Sequence, residues 1–383
     1  MTQAASNFQL AHLPTVLAKH AFMVDFDSGA VLYEKNADTL MNPSSMTKIA
    51  TACFVASKIR SGEIEMDTLL TVSKNAYRKE GSTMFLKLGQ KVSVADLLEG
   101  LIVVSANDAA VVLAEGVSGS EEAFASEMTA FVKSLGALST NFTNASGLPA
   151  PNHRTTCRDL ATIARYAIQN VPELFHLYSR TDMSFNNVRQ ENKNVLLRKG
   201  IGCDGLKTGH TEAGGFGIVA TCQQEDQRLI LVLNGCPSES KRAEEALALL
   251  SWGRRTFINH QLYRANDLVV QIPVWYGEES YCPITLEKDL TVTLPRSSPY
   301  DVKITLHYDT PTSAPITKGT LVGDILITST STKSPVTVPL IAAVSVAEAG
   351  FFKKIKDSLL YLLWGIKKPE IRDIACEADN NNC

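Results

Sequence analysis

The sequence predicts a mixed α/β (α+β) body, an antiparallel sheet flanked by helices, followed by a small all-β domain and a C-terminal amphipathic helix. Three observations predict it. Apolar runs of helical length occupy 49–56, 97–104 and 109–114. Two further apolar runs, 214–221 and 229–233, are separated by the polar stretch Gln223-Gln224-Glu225-Asp226-Gln227, the pattern of a hairpin of buried strands. After Trp252-Gly253-Arg254-Arg255-Thr256-Phe257 the texture changes to short alternating runs, such as 267–272 and 290–294, punctuated by Pro and Gly.

The first element of interest is a helix that starts near Pro43 and Ser44, both good starting residues, and runs through 49–56. Ser45 and Lys48 are three residues apart, so the helix sets their side chains next to each other on one face. A serine hydroxyl needs a base within hydrogen-bond reach before it can act as a nucleophile. The run after Lys48 is apolar on nearly every face, which buries the lysine and lowers its pKa. A neutral Lys48 can then be that base. The unpaired N–H of Ser45 at the helix start is a candidate oxyanion donor. For an arbitrary Ser-x-x-Lys the alternative is a surface lysine one turn from a capping serine, and the polar Ser238-Glu239-Ser240-Lys241 is read that way.

Ser105-Ala106-Asn107 interrupts two apolar runs and is therefore expected to be partly buried and in need of partners. Here Ser105 can relay a proton and Asn107 can bond a substrate amide; the alternative is a polar link between core helices. The Ser-x-Asn triplets at Ser73, Ser139 and Ser184 lie among polar residues and read as turns. Lys207-Thr208-Gly209-His210 occurs once and starts the strand region. Lys207 and Thr208 can hold an anionic group, Gly209 permits close backbone approach, and the His210 N–H is a candidate second oxyanion donor.

The three motifs in this order resemble the low-molecular-weight class C penicillin-binding proteins, the serine-type D-alanyl-D-alanine carboxypeptidases of peptidase family S11. Phe22 to Glu34 is similar to the family's opening hairpin, Gly81 to Leu86 with Val92-Ser93-Val94 to the loop before its second motif, and Asn144 to Pro149 with His153 and Asp159-Leu160 to the segment flanking its site. Asp204 to Thr211 is similar to its third motif with flanks. The resemblance covers roughly 20–365 and implies the β-lactamase-like transpeptidase fold, removal of the terminal D-alanine from peptidoglycan stem pentapeptides through an acyl-enzyme on Ser45, acylation by β-lactams, and no cofactor. Where the family often has arginine between two asparagines, Asn192-Lys193-Asn194 has lysine. A bidentate contact with the substrate carboxylate then becomes a point-charge contact through Lys193.

The expected organisation is a catalytic body over 1–258, a β-rich domain over 259–346, a membrane-anchor helix over 347–369 and a polar tail over 370–383. In the helix Phe351, Phe352, Ile355, Leu359, Leu362, Leu363 and Ile366 fall on one face, with Trp364 at its rim, and Lys353, Lys354, Lys356 and Asp357 fall on the other face or its borders. Such a helix suits an anionic membrane surface; docking on protein is the alternative. Family precedent favours the membrane, and the expected location is periplasmic, on the outer face of the cytoplasmic membrane. Residues 1–6 lack a secretory signal, so the sequence is read as a mature form.

The net charge is -3 in 383 residues, which gives no reason to expect nucleic acid. Eight cysteines show no metal-like spacing, so no metal is expected. Cys53, Cys222 and Cys236 are read as small core residues, while Cys376 and Cys383 could pair or bridge chains. Gly200-Ile201-Gly202-Cys203-Asp204-Gly205 fits a dinucleotide pattern but leads into a strand, which removes the physical basis of that motif. Other functions that stay open on the sequence are DD-endopeptidase on the same site, a weak β-lactamase, and an idle membrane-attached wall-peptide binder. The lactamase lacks the usual glutamate near 139–142, and intact motifs disfavour the idle binder.

Overall fold

A computed structural model describes residues 13–298, 302–308, 312–328, 335–364 and 372–374. The chain divides into two compact units between Arg254 and Arg255. The first opens with the hairpin β1 (His20–Asp25) and β2 (Val31–Lys35). A 3-10 turn, Ser44–Thr47, then leads into α1 (Lys48–Arg60). Next come β3 (Leu69–Thr71), α2 (Lys74–Tyr77), β4 (Lys91–Ser93), α3 (Val94–Val103), α4 (Asn107–Ser118), α5 (Glu121–Ser134), α6 (Cys157–Asn170) and α7 (Pro172–Phe175). The small hairpin β5 (Asp182–Phe185) and β6 (Val188–Glu191) precedes the meander β7 (Cys203–Thr211), β8 (Gly215–Gln224) and β9 (Gln227–Cys236), and α8 (Glu239–Thr256) follows.

The main sheet is antiparallel throughout, in the order β2-β1-β9-β8-β7, so β7 is an edge. Helix α1 is buried from Lys48 through Ala56, which is why its sequence shows no polar face. It shares a core with Leu98, Leu101, Leu113 and Phe124, and Phe54 meets Phe124 edge to face at 5.1 Å. The neighbouring helices start on side-chain caps: Ser93 for α3, Ser120 for α5 and Thr156 for α6 each accept a backbone N–H one turn on. Each such cap stabilises its helix by about 1 kcal/mol.

Two expectations change. The helix expected from Pro43 begins as a 3-10 turn, and the α-helical bonds start at Lys48. Cys222 is buried, as its apolar run implies, but it is disulfide-bonded to Cys203. The register of β7 and β8 places the two cysteines opposite each other, a pairing that no local spacing reveals. Cys53, Cys157, Cys236 and Cys282 are free and buried; Cys376 and Cys383 lie outside the described residues.

The second unit holds β10 (Phe257–Tyr263), β11 (Val270–Trp275), β12 (Tyr281–Thr285), β13 (Leu290–Pro295), β14 (Lys303–Tyr308), β15 (Thr312–Ser313), β16 (Leu321–Thr328), β17 (Val336–Ala342), α9 (Phe351–Trp364) and β18 (Arg372–Ile374). β10 pairs with β13, and the others form a sheet in the order β15-β11-β12-β17-β16-β14-β18. Its core includes Ile272, Ile284, Leu306, Ile325 and Leu340. Among the described residues no helix is long and apolar enough to cross a membrane.

Candidate active site

Ser45 sits on the 3-10 turn, where residues three apart eclipse one another. That puts Lys48 Nζ 3.0 Å from Ser45 Oγ, with Asn107 Oδ1 at 2.7 Å and the Ser146 carbonyl also bonded to it. Lys48 is 1 % exposed. Burial holds its pKa well below the usual lysine value; the charges of Lys207 and Lys193 push the same way, while Asp108 and Glu121 oppose them. A neutral amine has two N–H donors and one lone pair. With both donors on Asn107 and Ser146, the lone pair is left for the Ser45 hydroxyl.

The second motif lies between α3 and α4. Ser105 has φ +67°, a left-handed conformation that ends one helix and turns its side chain to the cleft lining. Asn107 bridges Lys48 and the Glu80 carbonyl, to which its Nδ2 donates at 2.7 Å. The next residue, Asp108, accepts the N–H groups of Met84 and Leu86 at 3.0 and 3.2 Å, so the loop before the motif hangs on it. Gly81 (φ +85°) lies so close to Asn107 that a Cβ would stand 3.1 Å from Nδ2.

The third motif lies on the edge strand β7, against the turn. A Cβ on Gly209 would be 3.1 Å from the Pro43 carbonyl, so any larger residue would have to push strand and turn apart by a few tenths of an ångström. Lys207 is buried and its Nζ donates to the Thr208 carbonyl at 3.0 Å. Burial first, then Lys193 and Arg242, bring its pKa down to about 7. Thr208, Gly209 and His210 line the cleft, and the His210 ring stacks on Phe216 at 3.9 Å. Lys193 reaches across the cleft to Ser82 Oγ at 2.8 Å, carried between the buried Asn192 and Asn194. The cleft measures about 730 Å³ and is lined by Ser45, Ser105, Asn107, Lys193 and these β7 residues, with Lys48 and Lys207 beneath its surface.

Residues 7–237 match the family model for D-alanyl-D-alanine carboxypeptidase, and 257–348 match that for the C-terminal domain of penicillin-binding protein 5. The chain belongs to the D-alanyl-D-alanine carboxypeptidase family. The D-alanyl-D-alanine carboxypeptidase DacC of Escherichia coli (strain K12) is 36% identical over 360 residues, covering 92% of this chain and 90% of that one. The crystal structure of penicillin binding protein 5 from Haemophilus influenzae superposes with a TM-score of 0.83 at 34% identity, over 88% of this chain and 100% of that one. Penicillin-binding protein D2 from Listeria monocytogenes, in its ampicillin-bound form, superposes with a TM-score of 0.59 at 29% identity, over 63% of this chain and 99% of that one. The family membership carries the fold expectation: a penicillin-binding-protein body followed by an all-β domain.

Sequence reasoning missed two members of this site. One is the backbone carbonyl of Ser146, which no side-chain pattern can announce. The other is Arg242, 3 % exposed, which lines the cleft, pairs with Glu239 at 2.7 Å and has no hydrogen-bond partner for its Nε. Its signal was a basic residue in the first turn of α8, directly after the decoy Ser-x-x-Lys. In that decoy, Ser238 accepts the Lys241 N–H at 3.2 Å, and Lys241 Nζ bonds Glu244 instead of the serine.

Proposed function

We propose that this protein is a serine DD-carboxypeptidase that removes the terminal D-alanine from peptidoglycan stem pentapeptides through an acyl-enzyme on Ser45. The observation that carries this is Lys48: buried, its pKa held well below the usual lysine value by that burial, bonded to Asn107 and Ser146, and 3.0 Å from the serine hydroxyl. Ser45 Oγ attacks the carbonyl carbon of the penultimate D-alanine while its proton passes to Lys48. The N–H groups of Ser45 and His210 receive the negative oxygen. The C–N bond breaks, D-alanine leaves with a proton relayed through Ser105, and water then cleaves the ester to restore Ser45. Asn107 bonds the substrate amide.

Lys207, Thr208 and Arg242 receive the terminal carboxylate, with Lys193 adding a point charge at the cleft edge. The unpartnered Arg242 Nε supports that placement. A β-lactam offers the same kind of acyl bond and is held as an ester on Ser45. The test is release of D-alanine from a peptide ending in D-Ala-D-Ala. Release by the wild type and none by Ser45→Ala supports the reading; release by Ser45→Ala overturns it.

We also propose that α9 lies in an anionic membrane surface, which sets the enzyme in the periplasm against the outer face of the cytoplasmic membrane. Phe351, Phe352, Ile355, Leu359 and Leu362 are 73, 86, 43, 54 and 79 % exposed, while Asp357 accepts the Tyr276 N–H at 2.9 Å and Lys353 donates to the Glu278 carbonyl at 2.8 Å. The polar side thus holds to its own domain and the apolar side faces out. Ile366 and the side chains of Leu363 and Trp364 lie outside the described residues. Sedimentation with phosphatidylglycerol vesicles that is lost in Phe351→Asp/Phe352→Asp supports the anchor; undiminished sedimentation contradicts it.

A further inference from the structure

Ser44, the residue before the nucleophile, has φ +51°, a left-handed conformation that a serine adopts only when its surroundings hold it there. Its N–H donates to Asn42 Oδ1 at 3.2 Å, its Oγ lies 3.0 Å from Thr211 Oγ1, and its carbonyl accepts the Thr47 hydroxyl at 2.9 Å. Gly147 lies against that carbonyl so closely that a Cβ would stand 1.9 Å from the oxygen.

Since the Thr47 hydroxyl proton is committed to Ser44, Thr47 Oγ1 must accept from its other neighbour, His153 Nε2, at 2.9 Å. His153 Nδ1 lies 3.0 Å from the Thr143 N–H, which can only donate. The backbone therefore selects the tautomer, with the proton on Nε2. The imidazole is 3 % exposed, rests on the Phe142 ring at 5.4 Å, and stays neutral because burial lowers its pKa to about 4. It is not among the residues that line the cleft.

The consequence follows from peptide planarity. The Ser44 carbonyl and the Ser45 N–H belong to one trans peptide and point in opposite directions. Holding the carbonyl against Gly147 and Thr47 therefore aims the N–H the other way. We propose that His153, acting through Thr47, is a positioning residue that aims the Ser45 N–H and hydroxyl for acylation, a role distinct from substrate binding. This rests on the acyl-enzyme reading of Ser45.

The test is rapid-mixing acylation by benzylpenicillin, separating the affinity of the initial complex from the limiting acylation rate, with active sites counted from the final adduct. His153→Phe and Thr47→Val are expected to lower the limiting rate by about 10- to 100-fold, short of the loss of a whole oxyanion donor. Initial affinity should stay within about twofold, since binding contacts are unchanged. His153→Gln, which keeps an N–H near the Nε2 position, and Thr47→Ser, which keeps the hydroxyl, should recover most of the rate. The double variant His153→Phe/Thr47→Val should be no slower than either single one, because the two act as one chain.

A purely structural role would reduce the count of active sites and leave the rate per site intact; that result, or additive losses in the double variant, overturns the inference. If His153→Phe does not fold, Thr47→Val decides. A wild type that forms no adduct at Ser45 contradicts the functional reading itself; a Ser45 adduct with unaltered rates in the variants contradicts only the positioning role.

Discussion

The two units spend buried polar groups very differently. In the catalytic body Lys48, Asp108, Glu121, His153, Asp159, Lys207, Arg242 and Glu245 are all buried ionisable side chains, whereas among the described residues of the C-terminal unit the buried polar side chains are three threonines, Thr285, Thr293 and Thr305. Burying a polar or charged group is costly unless a partner satisfies it. Lys48, Lys207 and Arg242 accept that cost at or beneath the cleft, while Asp159 and Glu245 spend it on the backbone N–H groups of Ser139, Leu17 and Ala18; the core of the other unit is mainly apolar.

The largest effect that sharpens this contrast is at Lys48. Lys48→Met keeps the side-chain volume but removes the base, and acylation should fall by about 10³- to 10⁴-fold. Stability should drop only by about 1–3 kcal/mol, the cost of unpaired acceptors at Asn107 and Ser146. The mirror experiment is Leu306→Ala in the C-terminal core, which should cost about 2–5 kcal/mol in denaturant melts while leaving the acylation rate per folded molecule unchanged. A catalytic loss from Leu306→Ala would break the separation.

A smaller effect concerns pH. Lys207 titrates near 7, so it is charged below that pH and loses its hold on a carboxylate above it. KM for a D-Ala-D-Ala peptide should therefore rise as pH increases through about 7, and Lys207→Arg, charged throughout, should flatten that rise. Lys48 acts in the opposite sense, since its neutral form does the work. Least of all, Lys193→Arg should lower KM by about two- to fivefold, the difference between a point charge and a fork at an exposed site.

Legibility followed distance along the chain. Ser45 and Lys48 were readable because one turn of helix links them, and the Lys207-Thr208-Gly209 strand because its neighbours are apolar. The 3-10 start of α1 was not, since it depends on Ser44 being held by Thr211 and Gly147 from far away in sequence. Arg242 was hidden for the same reason: only folding brings the first turn of α8 to the cleft beside Lys193. The Cys203–Cys222 pair needed strand register, and the His153–Thr47 bond spans 106 residues.

The most direct test of the central claim is the intact mass of the protein after incubation with benzylpenicillin, followed by peptide mapping. A single adduct on the peptide carrying Ser45, absent in Ser45→Ala, is the expected result. An adduct at another residue, or no adduct and no hydrolysis of the drug, would contradict the assignment of Ser45 as the acylated nucleophile.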